Sequence, residues 1–172
     1  MFFGNLFKGA SPEAPKRVNS AELLRAAVHA HLPDADAEAV AFVTALAGLL
    51  ASIAYADRDY SPAEQAHVRE ALSQVHGLTE PGVEAISLVL KDHVRDLASV
   101  NPQAFSRELR ENGEVELRRE VLDCLVDLGA TDGELSLAET NLLRRTTSAL
   151  GLEHNDYLVS QQRHRDKLKL GG

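Results

Sequence analysis

One stretch of this chain occurs twice, and that repeat limits the fold more than any other feature. Ile53-Ala54-Tyr55-Ala56-Asp57-Arg58-Asp59-Tyr60-Ser61-Pro62-Ala63-Glu64 aligns with Leu128-Gly129-Ala130-Thr131-Asp132-Gly133-Glu134-Leu135-Ser136-Leu137-Ala138-Glu139. Asp57 answers to Asp132, Asp59 to Glu134, Ser61 to Ser136 and Glu64 to Glu139. Both copies follow an apolar segment and continue into an amphipathic one, closing in His76-Gly77-Leu78 and Leu150-Gly151-Leu152. Each copy therefore reads as a helix, an acidic turn and a second helix. Two such αα-hairpins in one small chain imply pseudo-twofold packing.

The remainder fits around these hairpins. At 172 residues the chain has room for one core and not for a second. Residues 1–19 read as a leader, with an apolar start and small residues around Pro12 and Pro15; residues 20–170 read as the folded domain. Ser20 starts a short helix that stops before Pro33. Asp36 caps a long apolar helix through Ala56, and Pro62 takes the first-turn position of the next helix, where its missing N–H costs nothing. Thr79 caps a helix that carries Val83, Ile86, Leu90, Val94 and Leu97. Asn101-Pro102 opens one with Phe105 and Leu109, broken near Gly113, and a further helix turns Leu117, Val121, Leu122, Leu125 and Leu128 inward. The last two span Leu137–Leu150 and Glu153 to Leu168. No stretch alternates with period two, so the expected fold is all-α, a single-domain bundle of about seven or eight helices built from two hairpin repeats.

Composition then excludes several functions. Asp plus Glu number 26 against 18 Lys plus Arg, a net charge of −8 that repels phosphate backbones and argues against nucleic acid as a partner. A single cysteine, Cys124, excludes an internal disulfide and a multi-cysteine zinc site; on an apolar helical face it reads as a small core residue. No secretory signal is present, and Ala39–Ala56 reads as a buried core helix and not as a span, which makes the cytoplasm the expected compartment. The Phe2, Phe3, Leu6 and Phe7 group implies docking on the domain or self-association, with membrane contact at most peripheral.

Two readings of the acidic turns stand side by side. In the first, Ser61 with Glu64 and Ser136 with Glu139 are capping boxes, and Asp57, Asp59, Asp132 and Glu134 favour the positive ends of the helices that follow. In the second, Asp57, Asp59, Glu64, Asp132, Glu134 and Glu139 supply oxygen ligands for a divalent cation (Ca²⁺, Mg²⁺, Mn²⁺ or Zn²⁺) held weakly where pseudo-symmetry brings the turns together. The spacing is not that of an EF-hand, since Pro62 and Leu137 stand where its glycine belongs.

Catalytic patterns are absent from the sequence. Glu64-x-x-His67 has the spacing of a di-iron ligand pair or an acid–base pair, but the repeat offers Glu139-x-x-Leu142 in its place. His29-x-His31 diverges on a helix, and His67, His76, His93, His154 and His164 read as scattered surface residues. There is no Gly-rich phosphate loop, no HExxH and no GxSxG.

The doubled turn, with Ser61-Pro62-Ala63-Glu64, Asp132-Gly133-Glu134-Leu135-Ser136-Leu137-Ala138-Glu139 and the closing Leu150-Gly151-Leu152, resembles the TerB-like tellurite-resistance family, which includes the N-terminal domain of the DjlA-type co-chaperone. The likeness spans residues 36–165. It implies an all-helical two-repeat domain whose six acidic residues chelate metal, without enzymatic activity. It also implies a link to stress and to metal or oxyanion resistance, and protein partners met at the inner face of the membrane. Arg58 departs from the glycine usual in the turn, and its guanidinium is expected to neutralise Asp57 or Asp59. The function expected is thus a non-enzymatic TerB-like protein that binds a divalent cation and contacts protein partners, a second copy of itself among them. The alternative is a metal-free helical scaffold of the DjlA N-terminal type in which the acids serve only as caps.

Overall fold

A computed structural model of the protein describes residues 19–99, 102–131 and 133–165. Among these residues there are eight helices and no strand: α1 (Ser20–His31), α2 (Ala37–Ala54), α3 (Pro62–Ser73), α4 (Glu80–Ser99), α5 (Pro102–Asn112), α6 (Val115–Gly129), α7 (Leu137–Ala149) and α8 (His154–Arg163). The all-α expectation holds. The Phe-containing start of the chain, and residues 166–172 at its other end, lie outside the described residues.

Helix α2 is the axis of the molecule. It packs against α1, α3, α4, α5, α6 and α7, so it is apolar on every side, as a helix surrounded by others must be. Its mean hydropathy of 1.9 is high enough for a membrane span, but 72% of it is buried inside the protein. Helix α5 approaches it closely because Gly48 has no side chain; a Cβ there would lie 2.6 Å from the Phe105 ring. Thr44 and Ser52, polar residues within this buried helix, bond back to the carbonyls of Val40 and Gly48 at 2.7 and 2.8 Å.

The two hairpins are α2–α3 and α6–α7. Helix α2 packs on α6, α2 also touches α7, and α3 touches α6. This reciprocal pattern is the pseudo-twofold relation that the repeat implies. Helix α7 ends beside a glycine in the left-handed region, Gly151 at φ +69°, a conformation that other L-residues adopt only at a cost; α3 stops sooner, at Ser73, and its left-handed glycine, Gly77 at φ +84°, lies in the loop that leads to α4.

Four details differ from expectation. Asn19 and not Ser20 caps α1, its side chain accepting from Ala21 N at 3.0 Å; Ser20 is instead buried, with its hydroxyl 3.4 Å from His93 Nδ1 on α4. Both residues are good caps, and only packing decides between them. Helix α2 ends two residues early, with Tyr55 as its C-cap. Leu117 is 39% exposed, at the edge of a shallow apolar depression that Phe42, Leu46 and Val75 also line. Helix α8 ends at Arg163, well short of Leu168.

Candidate metal centre

Each acidic turn is held by a small set of backbone bonds. In the first, Arg58 N donates to Tyr55 O at 2.9 Å, and Asp59 N donates to Asp57 Oδ1 at 3.0 Å, an Asx turn. Ser61 then caps α3. Its hydroxyl accepts from Glu64 N at 3.2 Å, while Glu64 Oε2 accepts from Ser61 N at 2.8 Å and from Ser61 Oγ at 3.0 Å. The second turn repeats the arrangement: Gly133 N donates to Ala130 O at 2.9 Å, Glu139 N to Ser136 Oγ at 3.1 Å, and Ser136 N to Glu139 Oε2 at 2.7 Å. Both capping boxes expected from the sequence are present.

Hairpin packing brings the caps together. Glu64 and Glu139 are each only 3% exposed, and together with Asp57 they form a trio in which one ligand atom from each lies within 4.8 Å of the others. The capping bonds therefore do more than finish two helices: they pin two carboxylates so that neither can swing away from the other. At an effective dielectric near 20, a pair of charges at that spacing repels by about 3 kcal/mol. A cation removes that repulsion. An all-oxygen set suits a hard ion, with water or backbone carbonyls completing its shell. Half-buried Tyr60, beside Glu64, has its hydroxyl pushed up to about 12, first by burial and then by the glutamate's charge.

Of the six acidic residues singled out in the sequence, the trio takes three. Asp59 and Glu134 are exposed and outside it, and Asp132 lies outside the described residues. Arg58 does not neutralise its neighbours, because no ion pair links it to Asp57 or Asp59 among the described residues. Instead it sits at φ +67°, where the second turn has Gly133 at φ +81°, and lines a neighbouring cleft.

Glu64 and His67 do not act as a pair. Glu64 is held by Ser61, whereas His67 Nε2 lies 2.9 Å from Asp127 Oδ2 on α6. His164 Nδ1 is 3.1 Å from Asp127 Oδ1, and its Nε2 is 3.2 Å from Asp123 Oδ1. These two histidines are thus not scattered surface residues but ties between α3, α6 and α8. Nothing in the sequence pairs them, since the contacts join three separate helices. Nearby Cys124 has its thiol pushed up to about 11, by burial above all and then by Asp127 and Asp123, so it stays protonated and unreactive at neutral pH.

An all-helical domain of two hairpins, with carboxylates from both converging where they meet, is the class these features define. The family model described as tellurite resistance protein TerB matches residues 43–161, a span that holds both repeats. The chain belongs to the TerB family. No curated protein and no solved structure gave a significant match.

Proposed function

We propose that this protein is a non-enzymatic module that binds a hard divalent cation between its two repeats and works through contact with protein partners. The observation that carries the cation reading is the trio Asp57, Glu64 and Glu139: buried glutamates from separate hairpins, pinned by their caps within 4.8 Å of one another and of an aspartate. By the repeat, Asp132 is the sequence counterpart of Asp57 and a fourth candidate ligand. The non-enzymatic part is supported by the protonated Cys124 thiol and by the separate commitments of Glu64 and His67. Leu137, 77% exposed in the first turn of α7, gives a partner an apolar contact two residues from Glu139. A lone thiol keeps the cytoplasm as the proposed setting.

Glutamine separates ligand from cap, because it satisfies a capping box as glutamate does but carries no charge. Titration calorimetry with Ca²⁺, Mg²⁺ and Mn²⁺, and with Zn²⁺ as the softer comparison, is expected to show binding at about 10⁻⁴–10⁻³ M, the range of loose sites. Glu64→Gln, Glu139→Gln and Asp57→Asn should each abolish it while the fold is retained. No heat in the wild type, or heat unchanged in all three variants, removes the cation reading. The complete capping boxes would then stand as the whole role of the two glutamates.

A further inference from the structure

A second site lies beside the first turn, and its charge is opposite. A cleft of about 830 Å³ opens between the ends of α2 and α4 and the starts of α5 and α7. Among the described residues three charged ones line it, and all are arginines: Arg58, Arg95 and Arg145. No carboxylate among the described residues joins them, although acids outnumber bases in the chain by 26 to 18. None of the three guanidiniums, all exposed, makes a hydrogen bond or ion pair with the described residues, whereas Arg119 is held by Glu116 and Asp156, and Arg118 by Leu150 O. The four helix ends that reach the cleft carry partial charges of roughly half a unit each, two of either sign, and so cancel. The charges that line the cleft are thus cationic, with the carboxylate trio next to it at the first turn, and concave walls concentrate the field of the lining charges.

Arg58 supplies an independent observation. An L-residue in the left-handed region costs about 1–2 kcal/mol relative to glycine, and the second turn uses glycine there. The chain thus carries strain at the charged turn residue that lines the cleft. Such strain is kept where a side chain has a contact to make.

We propose that this cleft binds a small molecule through a diphosphate group. The volume falls within the range of small-molecule sites. Planar guanidiniums grip phosphoryl oxygens two at a time, and three of them, one from the first turn, one from α4 and one from α7, suit a ligand with more than one phosphoryl group. Tyr55 and Asn141 on the same walls offer a ring face and an amide to whatever the diphosphate is attached to.

The test is calorimetry of the full chain with inorganic pyrophosphate and with adenosine diphosphate, in buffer free of divalent ions so that no metal bridges the phosphates to the carboxylate trio. Binding at a Kd of about 1 mM or tighter is expected, weakening as salt rises. Arg95→Gln and Arg145→Gln should each reduce affinity about tenfold. Arg25→Gln on α1, which lines no part of the cleft, should leave it unchanged. Arg58→Gly should weaken binding while raising the melting temperature, two opposite effects that loss of folding cannot mimic. Equal affinity for the two probes would mean that the phosphates alone are read; tighter adenosine diphosphate would bring in the Tyr55 wall. Absence of binding by both probes, or affinity undiminished in the Arg58→Gly/Arg95→Gln/Arg145→Gln variant, overturns the proposal.

Discussion

The first acidic turn passes through Arg58 at φ +67°, the second through Gly133 at φ +81°. Around these residues the two turns use the same bonds: an amide at the left-handed residue donating to the carbonyl three residues back, a serine cap, and a glutamate reaching back to the cap amide. Backbone shape is thus shared by the two turns whichever residue takes the left-handed position. The turns diverge where their side chains meet different surroundings. Tyr60 is half-buried beside Glu64, while Leu135 leans over Gly129, whose Cβ would come 2.7 Å from it. A repeat of this kind keeps its hydrogen bonds and specialises its surfaces.

Exchanging the turn residues should break this equivalence most strongly. Gly133→Arg, which gives the second turn the residue of the first, places an L-residue in the left-handed region and is expected to cost about 1–2 kcal/mol. For a chain of this length that lowers the melting temperature by roughly 2–8 °C. Thermal unfolding followed by circular dichroism measures it, and an unchanged melting temperature would show that this turn can rearrange where the first cannot.

The serine caps come next. Ser136→Ala removes one side-chain bond to Glu139 N and should cost about 1 kcal/mol. Ser61→Ala also removes the hydroxyl donated to Glu64 Oε2, so its loss should be the greater by a few tenths of a kcal/mol. Denaturant melts of the two variants make the comparison. The reverse order would mean that the second glutamate leans harder on its cap.

Much of this was legible because the signals are local. Pro62 at a first helical turn, serine three residues before glutamate in both copies, and glycine at Gly151 each act within one turn of chain, so these helix starts and the stop of α7 follow from sequence. The long apolar run of α2 reads as a core helix for an equally direct reason, since nothing else could cover it on all sides. The site was legible only in outline. As candidate ligands the six acids look alike in sequence; the capping pattern marks Glu64 and Glu139, but only the fold shows them buried and Asp59 and Glu134 exposed. Cap and ligand read as alternatives in the sequence, yet the capping bond is what fixes each glutamate on its helix, beside its counterpart. The His67–Asp127–His164 tie joins α3, α6 and α8, a long-range pairing with no periodic mark, and the arginine cleft collects residues from as many separate segments.

The smallest effect expected is also the one that isolates a single difference between the turns. Tyr60 in the folded chain has its hydroxyl pushed up to about 12, against about 10 in the unfolded chain. Below pH 10 the phenol is neutral in both states and the stability is intact. Between pH 10 and 12 the unfolded chain loses the proton and the folded one does not, so stability falls with rising pH; above 12 both are ionised and the fall is complete. With part of the ring in solvent, the loss at pH 11 is under about 1 kcal/mol. Cys124, pushed up to about 11 from 9.0, adds its own fall from pH 9 to 11, which is why wild type alone cannot show the tyrosine's share. Tyr60→Leu, which gives the first turn the residue of the second, leaves the thiol in place and removes the phenol. The difference between the two stability curves should open above pH 10 and level off near 12. Parallel curves across that window would mean that Tyr60 ionises as freely folded as unfolded, and that the two turns differ in shape but not in electrostatics.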